Sequence, residues 1–208
     1  MTRTDRITDA ATAAGGGSTV GEIEAGSEFR DVAEQMSAQA RTFLSTTTQV
    51  ASGAAPGAEI ALLILATSDL LSAGARLAAI VDVVPAERWE PDAGPETDVD
   101  PLRDALAQMF DGFDDYVEVS DPALSADVAP ATLSGDLACV AEEIAKGLQH
   151  FDDGHELEGL WWWQFSYLSS WGERASSALR VLQGVLAHLR LDVADDVAAE
   201  AEYDALHS

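Results

Sequence analysis

The residues best equipped for chemistry stand in one short stretch, HFDDGHE, where His150, Asp152, Asp153, His155 and Glu156 follow one another across a helix-turn-helix junction. Imidazoles and carboxylates are the ligands that zinc or iron takes, provided they converge to within about 2 Å of one centre, which a tight turn can arrange. The spacing argues against it. No H-E-x-x-H pattern is present, and no second helix of matching character supplies further ligands. His150, Asp152 and His155 are therefore weak metal candidates, and no metal or other cofactor is expected.

Clustered acids raise a second possibility. Helical nucleotide pyrophosphohydrolases hold magnesium with acid pairs one turn apart that all face inward. Glu142 and Glu143 fall on the outer side of their predicted helix, so with Asp152 and Asp153 they do not meet that requirement. The chain also has no G-x-S-x-G elbow, no P-loop and no dinucleotide fingerprint. No catalytic residue is assigned, and the balance leans away from an enzyme.

The third constellation is aromatic and polar: Tyr116, Glu118, Asp121, Gln164, Tyr167, Glu173 and Arg174. Helical spacing puts Tyr167, Trp171 and Arg174 on one face. The guanidinium is expected to stack on Trp171 and to pair with a carboxylate between Asp114 and Asp121, pinning that segment to the helix. The competing expectation is a ligand pocket between the helix and residues 111–122, lined by Tyr116, Asp121, Trp163, Tyr167, Trp171 and Arg174.

Helices must position all of these groups. From Leu157 to Leu189, apolar residues fall at Leu157, Trp161, Leu168, Trp171, Ala175, Leu179, Leu182, Leu186 and Leu189, the spacing of one helical face. This predicts one long, mostly buried helix that carries four of the five tryptophans. Trp161, Trp162 and Trp163 fan over about 200° of its circumference, so it needs neighbours on more than one side.

Residues 1–26 lack any sustained period and predict a disordered arm. Ser27 then caps a first helix reaching about Val50, a turn follows at 52–57, and Ile60 to Val84 gives a second, largely apolar helix. Four prolines and six acids make 85–101 an acidic loop, with Trp89 folding back as an anchor or meeting a partner. A short third helix spans Leu102 to Phe110. Ser134 caps an amphipathic helix through Leu137, Val140, Ile144, Leu148 and Phe151; Gly154 closes it, so it forms a tight antiparallel hairpin with the tryptophan helix. The tail, 192–208, is acidic and weakly held. No strand-like alternation or internal repeat is evident. The reading is all-α: a single-domain antiparallel bundle of about five to seven helices over residues 27–191.

Composition narrows the function classes. One lysine and ten arginines face 37 acids, leaving a formal charge of -26. Such a field repels phosphates and anionic lipid, so neither direct nucleic-acid binding nor a membrane is expected. Ile60 to Ser68 is the most lipid-like run, but charges at Glu59, Asp69, Arg76 and Asp82 keep it short of the roughly 20 residues a bilayer needs. With Cys139 alone, and no secretory leader, the expected compartment is the cytoplasm.

Three blocks carry a family resemblance: DDYVEVSDP (Asp114 to Pro122), LSGDLACVAEEIAKGL (Leu133 to Leu148) and WWWQFSYLSSWGERASSALRVL (Trp161 to Leu182). The chain resembles an uncharacterised bacterial family, the domain of unknown function numbered 5063. The resemblance implies a helical fold without an assigned reaction, and it links the family to DNA maintenance through neighbouring genes of recombinational repair. It supplies no catalytic residue. Where the family tends to read Trp-Gly-x-His-Ala, this chain has Trp171, Gly172, Glu173, Arg174 and Ala175, so any role of that histidine is absent here. The leading expectation is a non-enzymatic module that binds an unidentified protein, basic in character, through its acidic face or exposed aromatics. The alternative is a small-molecule-binding or metal-dependent enzymatic domain using the pocket at 111–122.

Overall fold

The computed structural model describes residues 20–79, 82–85, 97–119 and 126–191, with backbone alone for 20–28. The elements are α1 (Val20–Ala51), α2 (Glu59–Ala79), α3 (Asp100–Met109), β1 (Asp115–Val119), β2 (Val128–Thr132), α4 (Leu133–Asp152), α5 (Glu156–Ser166), a π-helical segment (Tyr167–Trp171) and α6 (Gly172–Leu191). Taking α5, the π segment and α6 as one rod, five helical rods make an all-α bundle among the described residues. The stretch before Val20, the Trp89 loop from 86 to 96, Asp121 and the 192–208 tail lie outside them.

Ala33, Met36, Ala40, Phe43, Thr47 and Val50 form the buried stripe of α1, and Leu63, Ala66, Leu70, Ala73 and Leu77 form that of α2. Both recur every three or four residues, so each helix turns one face inward and the two pack together. α1 begins at Val20 rather than at the expected Ser27 cap. The expected turn joins the pair, with Gly53 and Gly57 at φ 72° and 78°, a conformation that side chains bearing a Cβ resist. By length and hydropathy (21 residues, 1.6), α2 passes the test for a bilayer span, which the charge count alone had set aside. In the fold it packs on α1 and α6 and buries Leu63, Leu70 and Leu77.

Two expectations fail in instructive ways. No sheet was expected, yet β1 and β2 pair antiparallel from Asp115↔Thr132 to Val119↔Val128. Each strand is only five residues long, which leaves little alternation to read. Tyr116 and Glu118 are half-buried, while Asp115, Val117 and Val119 face out.

The second correction concerns the tryptophan rod. It is continuous but interrupted: Gly172 N–H bonds to Tyr167 O, five residues back, and this π turn inserts an extra residue into the helical count. One added residue rotates everything after it by about 100°. The stripe drawn across 157–189 therefore does not stay on one face. Trp171, Ala175, Ala178 and Leu182 are buried, while Leu157, Leu168 and Leu189 are 37%, 68% and 67% exposed. The helix surrounded by neighbours is α4, which packs against α1, α3, α5 and α6 and buries Leu133, Leu137, Val140, Ala141, Ile144 and Leu148. The tight α4–α5 hairpin is as expected, closed by Gly154 at φ 86°.

Candidate functional site

α4 starts where β2 ends, and the junction is held by side chains from the opposite strand's root. Thr132, not Ser134, is the cap: its Oγ1 accepts from Gly135 N–H at 3.2 Å. Asp114 completes the start, accepting from Ser134 N–H and Ser134 Oγ–H, both at 2.7 Å. A carboxylate at a helix N-terminus satisfies donors that have no partner inside the helix and meets the favourable end of the dipole. Fixing Asp114 and Thr132 fixes the register of the hairpin, and with it Tyr116.

Tyr116 O–H donates to Asp136 Oδ2, one turn into α4, and Arg174 Nη1–H from α6 donates to Asp136 Oδ1 at 2.9 Å. Three elements thus meet on one carboxylate. Asp136 is 2% exposed, whereas the Arg174 side chain is 46% exposed, so the pair is buried on one side and wet on the other. Glu118 Oε2 lies 3.5 Å from the Tyr116 hydroxyl.

The electrostatics follow from that geometry. Burial pushes the Asp136 carboxyl above its ordinary value, against the hydrogen bonds from Tyr116 and Arg174. Burial, then the bond to Asp136 and the charges of Asp136 and Glu118, push the Tyr116 phenol well up. For Arg174, burial works against the charge, but its hydrogen bond to Asp136 and the nearby Cys139, Asp136 and Glu118 outweigh it and raise the guanidinium. Both Asp136 oxygens are engaged, one by Tyr116 and one by Arg174, so this carboxyl ties three elements together.

The expected pocket set divides accordingly. Tyr116 and Arg174 do converge, though on Asp136 rather than directly on a carboxylate between Asp114 and Asp121. Trp163 and Trp171 are fully buried. Trp163 Nε1–H donates to Ile144 O at 3.2 Å, and Trp171 Nε1–H donates to Trp163 O at 3.2 Å. Tyr167 meets Trp171 edge-on, with centroids 4.8 Å apart. The cation over an indole face is Lys146 on Trp162, at 3.7 Å, in place of the expected Arg174 on Trp171.

The metal candidates also separate. Asp152 is engaged by both terminal nitrogens of Arg41 on α1. His150 is buried at 1% exposure rather than lying on a solvated turn, and His155 is exposed. Among the described residues, no three His, Cys, Asp or Glu side chains gather as a metal site. Glu143, expected outside, is half-buried; burial and then Glu142 raise its carboxyl, against Lys146 and Trp162.

Two residues that matter were not singled out for these roles. Asp136 stands one and two turns ahead of Val140 and Ile144, so it is a charge placed on the apolar stripe, which was the available signal. Gln164, a member of the aromatic and polar set, is 5% exposed and closes the end of α2: its Nε2–H donates to Leu77 O at 3.0 Å and its Oε1 accepts from Val83 N–H at 2.8 Å.

A family model described as a domain of unknown function, DUF5063, matches residues 27–188. No curated protein matches the chain. The crystal structure of protein BF1032 from Bacteroides fragilis is similar, with 16% identity, 77% of this chain and 93% of that chain covered, and a TM-score of 0.60. At that identity the likeness shows the fold alone.

Proposed function

The chain belongs to the DUF5063 family, whose description carries no activity, and from that premise we propose that it works by binding another protein through the outward face of α5. The observation that supports this reading is an apolar stripe left in water: Leu157, Trp161, Phe165 and Leu168, spaced four, four and three residues apart. Phe165 is 52% exposed and stacks on half-buried Trp161 with centroids 5.5 Å apart and planes 11° from parallel. Large aromatics clustered on an exposed helix face are the usual anchors of protein interfaces. The other two indoles of the triplet are engaged by the bundle, Trp163 by full burial and Trp162 by its bond to Glu143 O and the Lys146 ammonium over its ring.

The chain carries a formal net charge of -26, which favours a partner with a basic rim around an apolar groove and discourages self-association. Catalysis draws less support, because both oxygens of the buried Asp136 carboxyl are engaged by their own neighbours. The test is photo-crosslinking in native cells from position 165, with exposed position 183 on α6 as the control. A discrete adduct from 165 and none from 183 is the expected result. Equal labelling from both positions, or none from 165, rejects the reading.

A further inference from the structure

At one end of the bundle, the first turn of α2, the end of α3 and the last turns of α6 enclose a cleft of about 410 Å³. That volume falls within the range of roughly 300–1,000 Å³ over which small-molecule sites occur. Its apolar walls include Ile60, Met109, Phe113 and Val185, and its polar lining residues are Glu59 and His188. Phe113 pairs with buried Phe110, their centroids 5.4 Å apart and planes tilted by 56°.

The sign of an occupant is set by a carboxylate. Glu59 stands in a lining that is otherwise apolar but for His188. The helix ends at the cleft offset one another, since α3 ends there with partial negative charge while α2 begins there with partial positive charge. An anion would meet Glu59 unfavourably, and the overall charge of -26 as well. We propose that this cleft is a binding site for an organic cation, an amine with an alkyl or aryl body that fills the apolar walls while its ammonium group pairs with Glu59. The site is separate from the α5 stripe and does not depend on it.

Calorimetric titration of the full chain at physiological salt tests this with three molecules of one shape: 2-phenylethylamine, 2-phenylethanol and 3-phenylpropanoate. The amine is expected to bind about tenfold more tightly than either of the others, the usual effect of one charge-assisted hydrogen bond. Glu59→Gln should remove that preference while lowering the melting temperature of the free protein only slightly, by the loss of one charge from the first turn of α2. Val185→Trp, which fills the cleft, should abolish binding of all three. Amine binding that survives Glu59→Gln unchanged would be loose attraction to an acidic surface and overturns the proposal, as does no binding of the amine. Should Val185→Trp fail to fold, Glu59→Gln still decides.

Discussion

Trp163 lies so close to Gly147 that a Cβ placed on the glycine would fall 2.1 Å from the indole Nε1. The α4–α5 contact therefore depends on a missing side chain, and the same device recurs where Trp171 meets Gly74 of α2, at 2.4 Å from such a Cβ. Both indoles are fully buried and hydrogen-bonded, so neither can swing aside freely. Gly147→Ala and Gly74→Ala should each destabilise by about 1–3 kcal/mol, the range for overpacking a tight core. Chemical denaturation of each variant measures it; an unchanged midpoint would mean the rods can separate at no cost.

Gly184 is the internal control. It sits in α6 with nothing within 4 Å of its would-be Cβ, so the only effect of Gly184→Ala is on backbone entropy and helix propensity. A gain of about 0.5–1 kcal/mol is expected by the same measurement.

These glycines show what the sequence makes legible and what it does not. Helix existence, the tight α4–α5 turn and the buried stripes of α1 and α2 follow from periodicity, because a repeat of three and four needs no knowledge of partners. The π turn at Tyr167–Trp171 leaves no such trace. It shifts the phase between the two halves of the predicted stripe, so that Leu157 and Leu168 face out while Trp171, Ala175 and Leu182 face in. The site was half legible: Tyr116 and Arg174 were selected for their types, but Asp136, which joins them, sits in a stripe that was being read as core.

Asp136 offers the sharpest test of that junction. Tyr116→Phe leaves Oδ2 of a buried carboxylate without its donor and should cost about 1–2 kcal/mol. Arg174→Met should cost a similar amount rather than the full value of a buried pair, because the arginine is nearly half exposed and screened by water. The two losses should not add, since both act through one acceptor. A double-mutant cycle showing strict additivity would mean that the two bonds are independent and Asp136 is no hub.

Stability should fall as pH rises, with a sign set by three groups. Burial holds Asp136 and Glu143 above their ordinary values of 3.8 and 4.5, and burial with the bond to Asp136 holds Tyr116 above 10.0. In each case the folded state keeps a proton that the unfolded chain releases, so the unfolded state binds fewer protons and stability declines with pH. For the two carboxyls the contribution is complete below the ordinary value and is lost as pH climbs through the raised one. For Tyr116 it is complete below pH 10.0 and lost above. Self-repulsion at a net charge of -26 acts in the same direction. The melting temperature should fall as pH climbs from the ordinary carboxyl values through the raised ones, with a further drop above pH 10; Asp136→Asn should flatten the acid-side slope. An Asp136→Asn slope as steep as that of the parent protein across that range would contradict this linkage.

The outward stripe should be nearly silent in stability while decisive in binding. Leu168 is 68% exposed, so Leu168→Ser should change stability by no more than about 0.5 kcal/mol. Phe165→Ser loses one stacking contact with Trp161, worth about 0.5–1.5 kcal/mol. Trp163→Ala, by contrast, empties a fully buried site and should cost about 3–5 kcal/mol. If Leu168→Ser abolishes the adduct formed from position 165 while melting close to the parent protein, the stripe is a surface kept for a partner. If Leu168→Ser and Phe165→Ser melt as low as Trp163→Ala, those side chains are part of the core and no free interface exists on α5.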